Sequence, residues 1–137
     1  MKIKDVLEWI QIADDDIYSA QLLNEASRKP YEIICYHCAQ ATEKYLKGYL
    51  AYNDITAPKT HNLLLLHELC VEKDTIFEDI RTECSLLNRF TSEIRYPHRI
   101  EIKEEDVKYS LNAVERIKNI DPMKKLRDSI INESENK

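Results

Sequence analysis

Two groups of residues have the types and spacing to do chemistry. The first is His37, Gln40, Lys44 and Lys47, which share one stripe when wound at about 100° per residue. Donor-rich side chains on one stripe could line a groove for a phosphate or for the acidic groups of a partner. The plain alternative is a solvated edge, with Glu43 and Lys47 an i,i+4 surface pair worth little. The second group is Arg89, Arg95, Tyr96, His98 and Arg99, gathered around Pro97. Arginine forks phosphate, and Tyr96 could stack on a base. In a cleavage reaction an Arg would stabilise phosphate charge while His98 acted as acid or base, so Arg95 and His98 are the catalytic candidates. Here the alternative is a loop whose arginines pair with Glu93 and Glu101. His61 opens a helix, where backbone amides point outward, and is either a further contact or a polar first-turn residue.

Cys35 and Cys38 form a Cys-x-x-Cys with His37 between them, while Cys70 and Cys84 stand apart. Zinc ligands usually sit on turns in two clustered pairs. This pair lies within a helix and on its apolar arc. The four thiols read as buried packing residues, with no metal and no cofactor implied.

The elements that must position these residues are helices. A single Gly and four Pro in 137 residues leave few tight turns and argue against a β fold. The length fits one domain that buries about two-thirds of its unfolded surface. A net charge of −5 gives no global attraction to nucleic acid, leaving a local basic patch as the route to it. No signal peptide and no apolar run of about 18 residues is present. The expectation is a cytoplasmic protein, not in a membrane, with reduced thiols.

Along the chain, Val6, Trp9, Ile10, Ala13, Ile17, Ala20 and Leu23 make the stripe of a first helix, about Ile3 to Glu25. Asp14, Asp15 and Asp16 fall within it, either as a solvated face or with Asp16 reaching a basic residue of the second helix. Pro30 precedes that second helix, about Tyr31 to Tyr52, which is apolar around most of its girth and so belongs inside a bundle. Thr60 is the expected N-cap of a short third helix, about His61 to Glu72, whose leucines read as core. Asp74 or Thr75 caps a fourth helix running to about Glu93. A fifth starts near Lys103 and ends at Asp121-Pro122. One or two more turns carry Met123, Leu126, Ile130 and Ile131, and residues 132–137 read as a polar, disordered tail. The expected fold is all-α: an antiparallel bundle of four to five helices over residues 1–131, with one short helix inserted.

Several of these stretches, in this order, resemble the HEPN family (higher eukaryotes and prokaryotes nucleotide-binding domain). Ala13-Asp14-Asp15-Asp16-Ile17-Tyr18-Ser19-Ala20 is similar to its first-helix pattern. His37-Cys38-Ala39-Gln40-Ala41-Thr42-Glu43-Lys44-Tyr45-Leu46-Lys47 is similar to its second-helix signature. Thr60-His61-Asn62-Leu63 resembles the start of its third helix, and Leu87-Asn88-Arg89-Phe90 followed by Arg95-Tyr96-Pro97 the end of its fourth. The resemblance implies a bundle that commonly forms homodimers. It also implies a nucleotide-binding module, a partner of a minimal nucleotidyltransferase, or a metal-independent ribonuclease of the toxin–antitoxin kind. Nucleolytic members carry an Arg, four to six residues, then a His. Here Arg89 leads by that gap to Ile94, Arg95 or Tyr96, and His98 follows Arg95 by only three positions. Many relatives have Asp after Arg-Tyr-Pro, where this chain has His98. The departure favours a binding module for nucleotide or RNA phosphates without nuclease activity. The alternatives are the ribonuclease toxin and a helical adaptor with no small ligand.

Overall fold

The computed structural model describes residues 2–91 and 101–135. Among them are six α-helices and no strand. Helices α1 (Ile3–Asn24) and α2 (Tyr31–Tyr52) form an antiparallel hairpin. The apolar spacing of α1 turns Val6, Ile10, Ala13, Ile17 and Ala20 inward, with Trp9 and Leu23 half-buried at the margins. Helix α2 buries thirteen of its 22 residues and packs against each of the other helices, so it is the centre of the bundle. Its Gly48 lies close against Ile10 and Trp9 of α1. A Cβ there would stand 3.0 Å from Ile10 Cδ1 and 3.2 Å from Trp9 Cβ.

Helix α3 (Leu63–Lys73) starts later than the sequence suggests. Asn62, not Thr60, is its N-cap, accepting from the backbone N–H of Leu64 at 3.0 Å and Leu65 at 3.4 Å. Thr60 instead accepts from the N–H of Asn62 and shapes the preceding turn. Only part of the leucine run is core. Leu63 and Leu66 face inward, while Leu64 and Leu65 are exposed, because an 11-residue helix on the bundle's flank has one buried side.

The expected fourth helix is three pieces. A 3₁₀ turn (Thr75–Ile80) capped by Asp74 leads into α4 (Arg81–Leu87), and a second 3₁₀ turn (Asn88–Phe90) follows. Phe77 and Ile80, and again Leu87 and Phe90, are buried pairs three residues apart, the period of a 3₁₀ helix. Fully buried His67 also donates from Nε2 to the Phe77 carbonyl at 2.6 Å, taking an acceptor the α-helical ladder would use.

Helix α5 (Glu104–Asn119) opens with the Lys103 N–H donating to Asp106 at 2.9 Å. Pro122 lies in the first turn of α6 (Asp121–Glu135), where its missing N–H is no loss. Helix α6 runs beyond the turn or two expected, so residues 132–135 are helical rather than a free tail. Met123, Leu126 and Ile130 bury its inner side. Arg127 reaches Asp14 of α1 through two N–H bonds of 2.9 Å and anchors the middle of the helix, and no Gly or Pro follows Pro122 to stop it before Glu135. No helix among the described residues is long and apolar enough to cross a membrane.

Gly48→Ala tests the α1–α2 crossing. Alanine gains about 1 kcal/mol in helix propensity, but overpacking costs about 1–3 kcal/mol. Trp9 Cβ, one bond from backbone, has little room to retreat. A net loss of about 1 kcal/mol, read from the urea midpoint, is the expected outcome.

Candidate functional site

The polar stripe of α2 carries residues three and four apart, so Gln40, Glu43, Lys44 and Lys47 are neighbours. The structure closes them around Glu43. Its carboxylate accepts from Lys44 Nζ at 2.8 Å and Lys47 Nζ at 3.0 Å on one oxygen. The other oxygen accepts from His61 Nδ1 at 2.8 Å. Lys44 also donates to Gln40 Oε1 at 3.1 Å. Glu43 is 1% exposed, so the surface-pair reading of Glu43 and Lys47 is overturned. Lys44 and Lys47 are 17% and 11% exposed, and His61 is 63% exposed.

Local folding explains the convergence. The Thr60 turn and the Asn62 cap hold the segment before α3, and Asn88 accepts from the Leu63 N–H at 2.9 Å. This bond fixes the start of α3 against the end of α4 and leaves His61 over α2. Burial pushes the Glu43 carboxyl up, but the bonds from Lys44, His61 and Lys47 outweigh burial and hold it below its usual value. The group is therefore an anion clasped by cations. Lys47 also lies 5.7 Å from the centroid of the Trp9 ring, within cation–π range.

Three of the four stripe residues read from the sequence come together here: Gln40, Lys44 and Lys47. His37 does not join them. Its Nδ1 donates to Asp16 at 2.9 Å, which fulfils the reading that Asp16 reaches the second helix. Burial keeps the Asp16 carboxyl above its usual value despite that bond. Of the aspartate run only Asp15 is exposed. Asp14 accepts from the Tyr45 hydroxyl and from Arg127. Those bonds overcome the effect of burial and lower the Asp14 pKa. Arg89 lies apart from the stripe. It is exposed, 3.9 Å from Asp106, with its guanidinium 5.1 Å from the Phe90 ring centroid. A cleft of 320 Å³ beside it is lined by Leu86, Tyr109 and Ser110. Arg95, Tyr96, His98 and Arg99 lie outside the described residues, as does Glu93.

Neither the central place of Glu43 nor the pairing of Asp14 with Tyr45 and Arg127 is among the expectations from the sequence. Glu43 carried a signal, since an acid inside a stripe of donors marks their convergence. The Arg127 contact spans 113 positions and carried none. All four cysteines are buried and unbridged. Burial pushes the thiols up, Cys35 to about 11 and Cys84 to about 12, so they are poor nucleophiles. Among the described residues no group of three or more His, Cys, Asp or Glu is placed to hold a metal.

Glu43→Gln would leave two ammonium groups facing a neutral amide, with an expected loss of about 2–3 kcal/mol at neutral pH. A depressed carboxyl contributes stability above its unfolded pKa, and that contribution is lost as pH falls through the folded value. Wild-type stability therefore drops on acidification below 4.5, the ordinary Glu value, with Asp14 acting in the same direction. The raised Asp16 acts oppositely, being destabilising as it ionises. Chemical denaturation between pH 3 and 7 checks this: Glu43→Gln has the flatter acid limb.

No match is found among curated proteins. Among solved structures, the chain is similar to the crystal structure of an archaeal HEPN homologue, with a TM-score of 0.67 and 24% sequence identity. That likeness covers 95% of this chain and 99% of the other and concerns the fold. The HEPN domain profile matches residues 6–125, from the core of α1 into α6. The chain belongs to the HEPN domain family.

Proposed function

We propose that this HEPN domain is a binding module for nucleotide or RNA phosphates, without nuclease activity, that takes the phosphate at the polar edge of α2. One observation carries the reading: two ammonium groups and an imidazole converge on one carboxylate. One ammonium balances Glu43, so positive charge remains. An ammonium has three donors; Lys44 places two on Gln40 and Glu43, and Lys47 one on Glu43. Glu43 thus holds the cations in position before a ligand arrives, which reduces the ordering cost of binding. Family membership supports a nucleotide-related or RNase-type module in general. Arg89, beside its own cleft, is proposed as a further phosphate contact. Roles for Arg95, Tyr96 and His98 rest on sequence alone, as does His98 as acid or base. A minimal nucleotidyltransferase is proposed as the protein partner, with its acidic or nucleotide-bearing surface on the same edge.

The test is titration of labelled RNA and a nucleotide set against wild type, His61→Ala and Lys44→Gln. Affinity is expected to fall about tenfold in each, the worth of one hydrogen bond to a charged group. His61→Ala leaves one oxygen of buried Glu43 without its donor, so melting curves of each variant separate a loss of stability from a loss of binding. Unchanged affinities would remove this edge from the function. RNA recovered intact supports the binding module, whereas cleavage that disappears in His98→Ala would favour the ribonuclease.

We also propose a homodimer. Ile12, Tyr18 and Leu22 are exposed on the outward side of α1, an apolar set a second copy could cover. Light scattering should give twice the 16.2 kDa chain mass. Ile12→Glu with Leu22→Glu should give the monomer with the fold intact.

A further inference from the structure

A cleft of 420 Å³ opens between the start of α1 and the end of α2, beside the Glu43 cluster. From its position, shape and charge we infer that it is the base-and-ribose pocket of a nucleotide whose phosphate rests on Lys47. This inference builds on the phosphate reading of the α2 edge and names the rest of the ligand. Its volume lies within the range of small-ligand sites, about 300–1,000 Å³. Trp9, Ala51 and Ile55 give it apolar wall, and Asp5 and Thr56 bring polar groups.

Three features fit a nucleotide. First, Trp9 is half-buried, and its Cβ sits where Gly48 allows α1 to approach α2 closely. An aromatic ring fixed at its root makes a stacking platform for a base at little ordering cost. Second, Lys47 belongs to both places. It lines the cleft, lies 5.7 Å from the Trp9 ring centroid and donates to Glu43 at 3.0 Å. A group stacked on Trp9 therefore has its charged end beside the cluster. Third, charge is divided as a nucleotide divides it. With Lys47 counted toward the cluster, the cleft keeps Lys2 against Asp5 and Asp54 and is not cationic, which suits an uncharged base and sugar. The Asp5 carboxylate there can accept from a ribose hydroxyl or an exocyclic amine. Toward the cluster Lys44 joins Lys47 against the one carboxylate of Glu43, which suits the phosphate.

Trp9 is the chain's only tryptophan, so its fluorescence reads the cleft directly. AMP, UMP, adenosine and inorganic phosphate are titrated into the full chain, followed by fluorescence and calorimetry. AMP should quench saturably, adenosine should quench at higher concentration, and phosphate should not quench. Trp9→Leu should weaken AMP about tenfold. Ala51→Phe, which fills the cleft from α2 and leaves Trp9 in place, should do the same if Trp9→Leu fails to fold. Unquenched fluorescence, or AMP affinity unchanged in Ala51→Phe, overturns the pocket. If RNA binding still depends on Lys44 and His61 in that case, the phosphate reading survives without it. AMP quenching that is indifferent to His61→Ala and Lys44→Gln supports the pocket and sinks the phosphate edge.

Discussion

A carboxylate buried in the central helix constrains much of this structure. Glu43 is removed from water on a helix that touches every other one. An ionised carboxyl in that position is expensive unless it is paired and hydrogen-bonded on both oxygens. Lys44 and Lys47 satisfy one oxygen from within α2. The second needs a donor from elsewhere, and His61 supplies it. The loop between α2 and α3 must therefore return over α2 at that point. The Thr60 turn, the Asn62 cap and the bond from the Leu63 N–H to Asn88 set its path. Through Asn88 the requirement extends to the end of α4.

The other polar contacts of the hairpin act on register. Asp16 with His37, and Asp14 with Tyr45, join α1 to α2 at two levels. Arg127 then ties α6 to the same Asp14. Apolar stripes alone permit helices to slide by small amounts, since hydrophobic contact is not directional. Hydrogen bonds between fixed positions do not permit it. Tyr45 shows both roles, with its ring buried in the core and its hydroxyl donated to Asp14. The Glu43 cluster and the Trp9 cleft lie along a hairpin whose sliding is thus restrained.

How much of this could be read from the chain depends on the distance over which each interaction acts. The bounds of α2 and the stripe of α1 follow from local periodicity; the bounds emerge as read, and the stripe does so at Val6, Ile10, Ala13, Ile17 and Ala20, with Trp9 and Leu23 only half-buried. The fourth helix did not, because the contact from His67 to the Phe77 carbonyl competes with the ladder. The tie of α6 to α1 is not legible locally either, because Arg127 finds its partner 113 positions away. At the site, the stripe located Gln40, Lys44 and Lys47 together, since helical spacing is a local property. The stripe could not tell an exposed edge from a covered one. That depended on the return of the loop bearing His61, and it turned Glu43 from half of a surface pair into a buried centre. His37 left the set because Asp16 lies across from it on α1.

Gly48 and Trp9 show the same limit from another side. A lone glycine in a long helix lowers helix propensity and reads, by itself, as a weakness. The fold gives it a use: without a Cβ, α2 admits Ile10 and Trp9 of α1 at close range. The adjoining residue on α2 is Lys47, whose ammonium lies between the Trp9 ring and Glu43. Close approach, aromatic wall and cation are thus consequences of one crossing rather than three separate features. Any change that pushes α1 away from Gly48 moves the Trp9 ring relative to Lys47, and so alters the cleft and one of the donors to Glu43 together. Packing at the crossing and chemistry at the edge of α2 are for that reason a single constraint, carried by neighbouring residues of one helix.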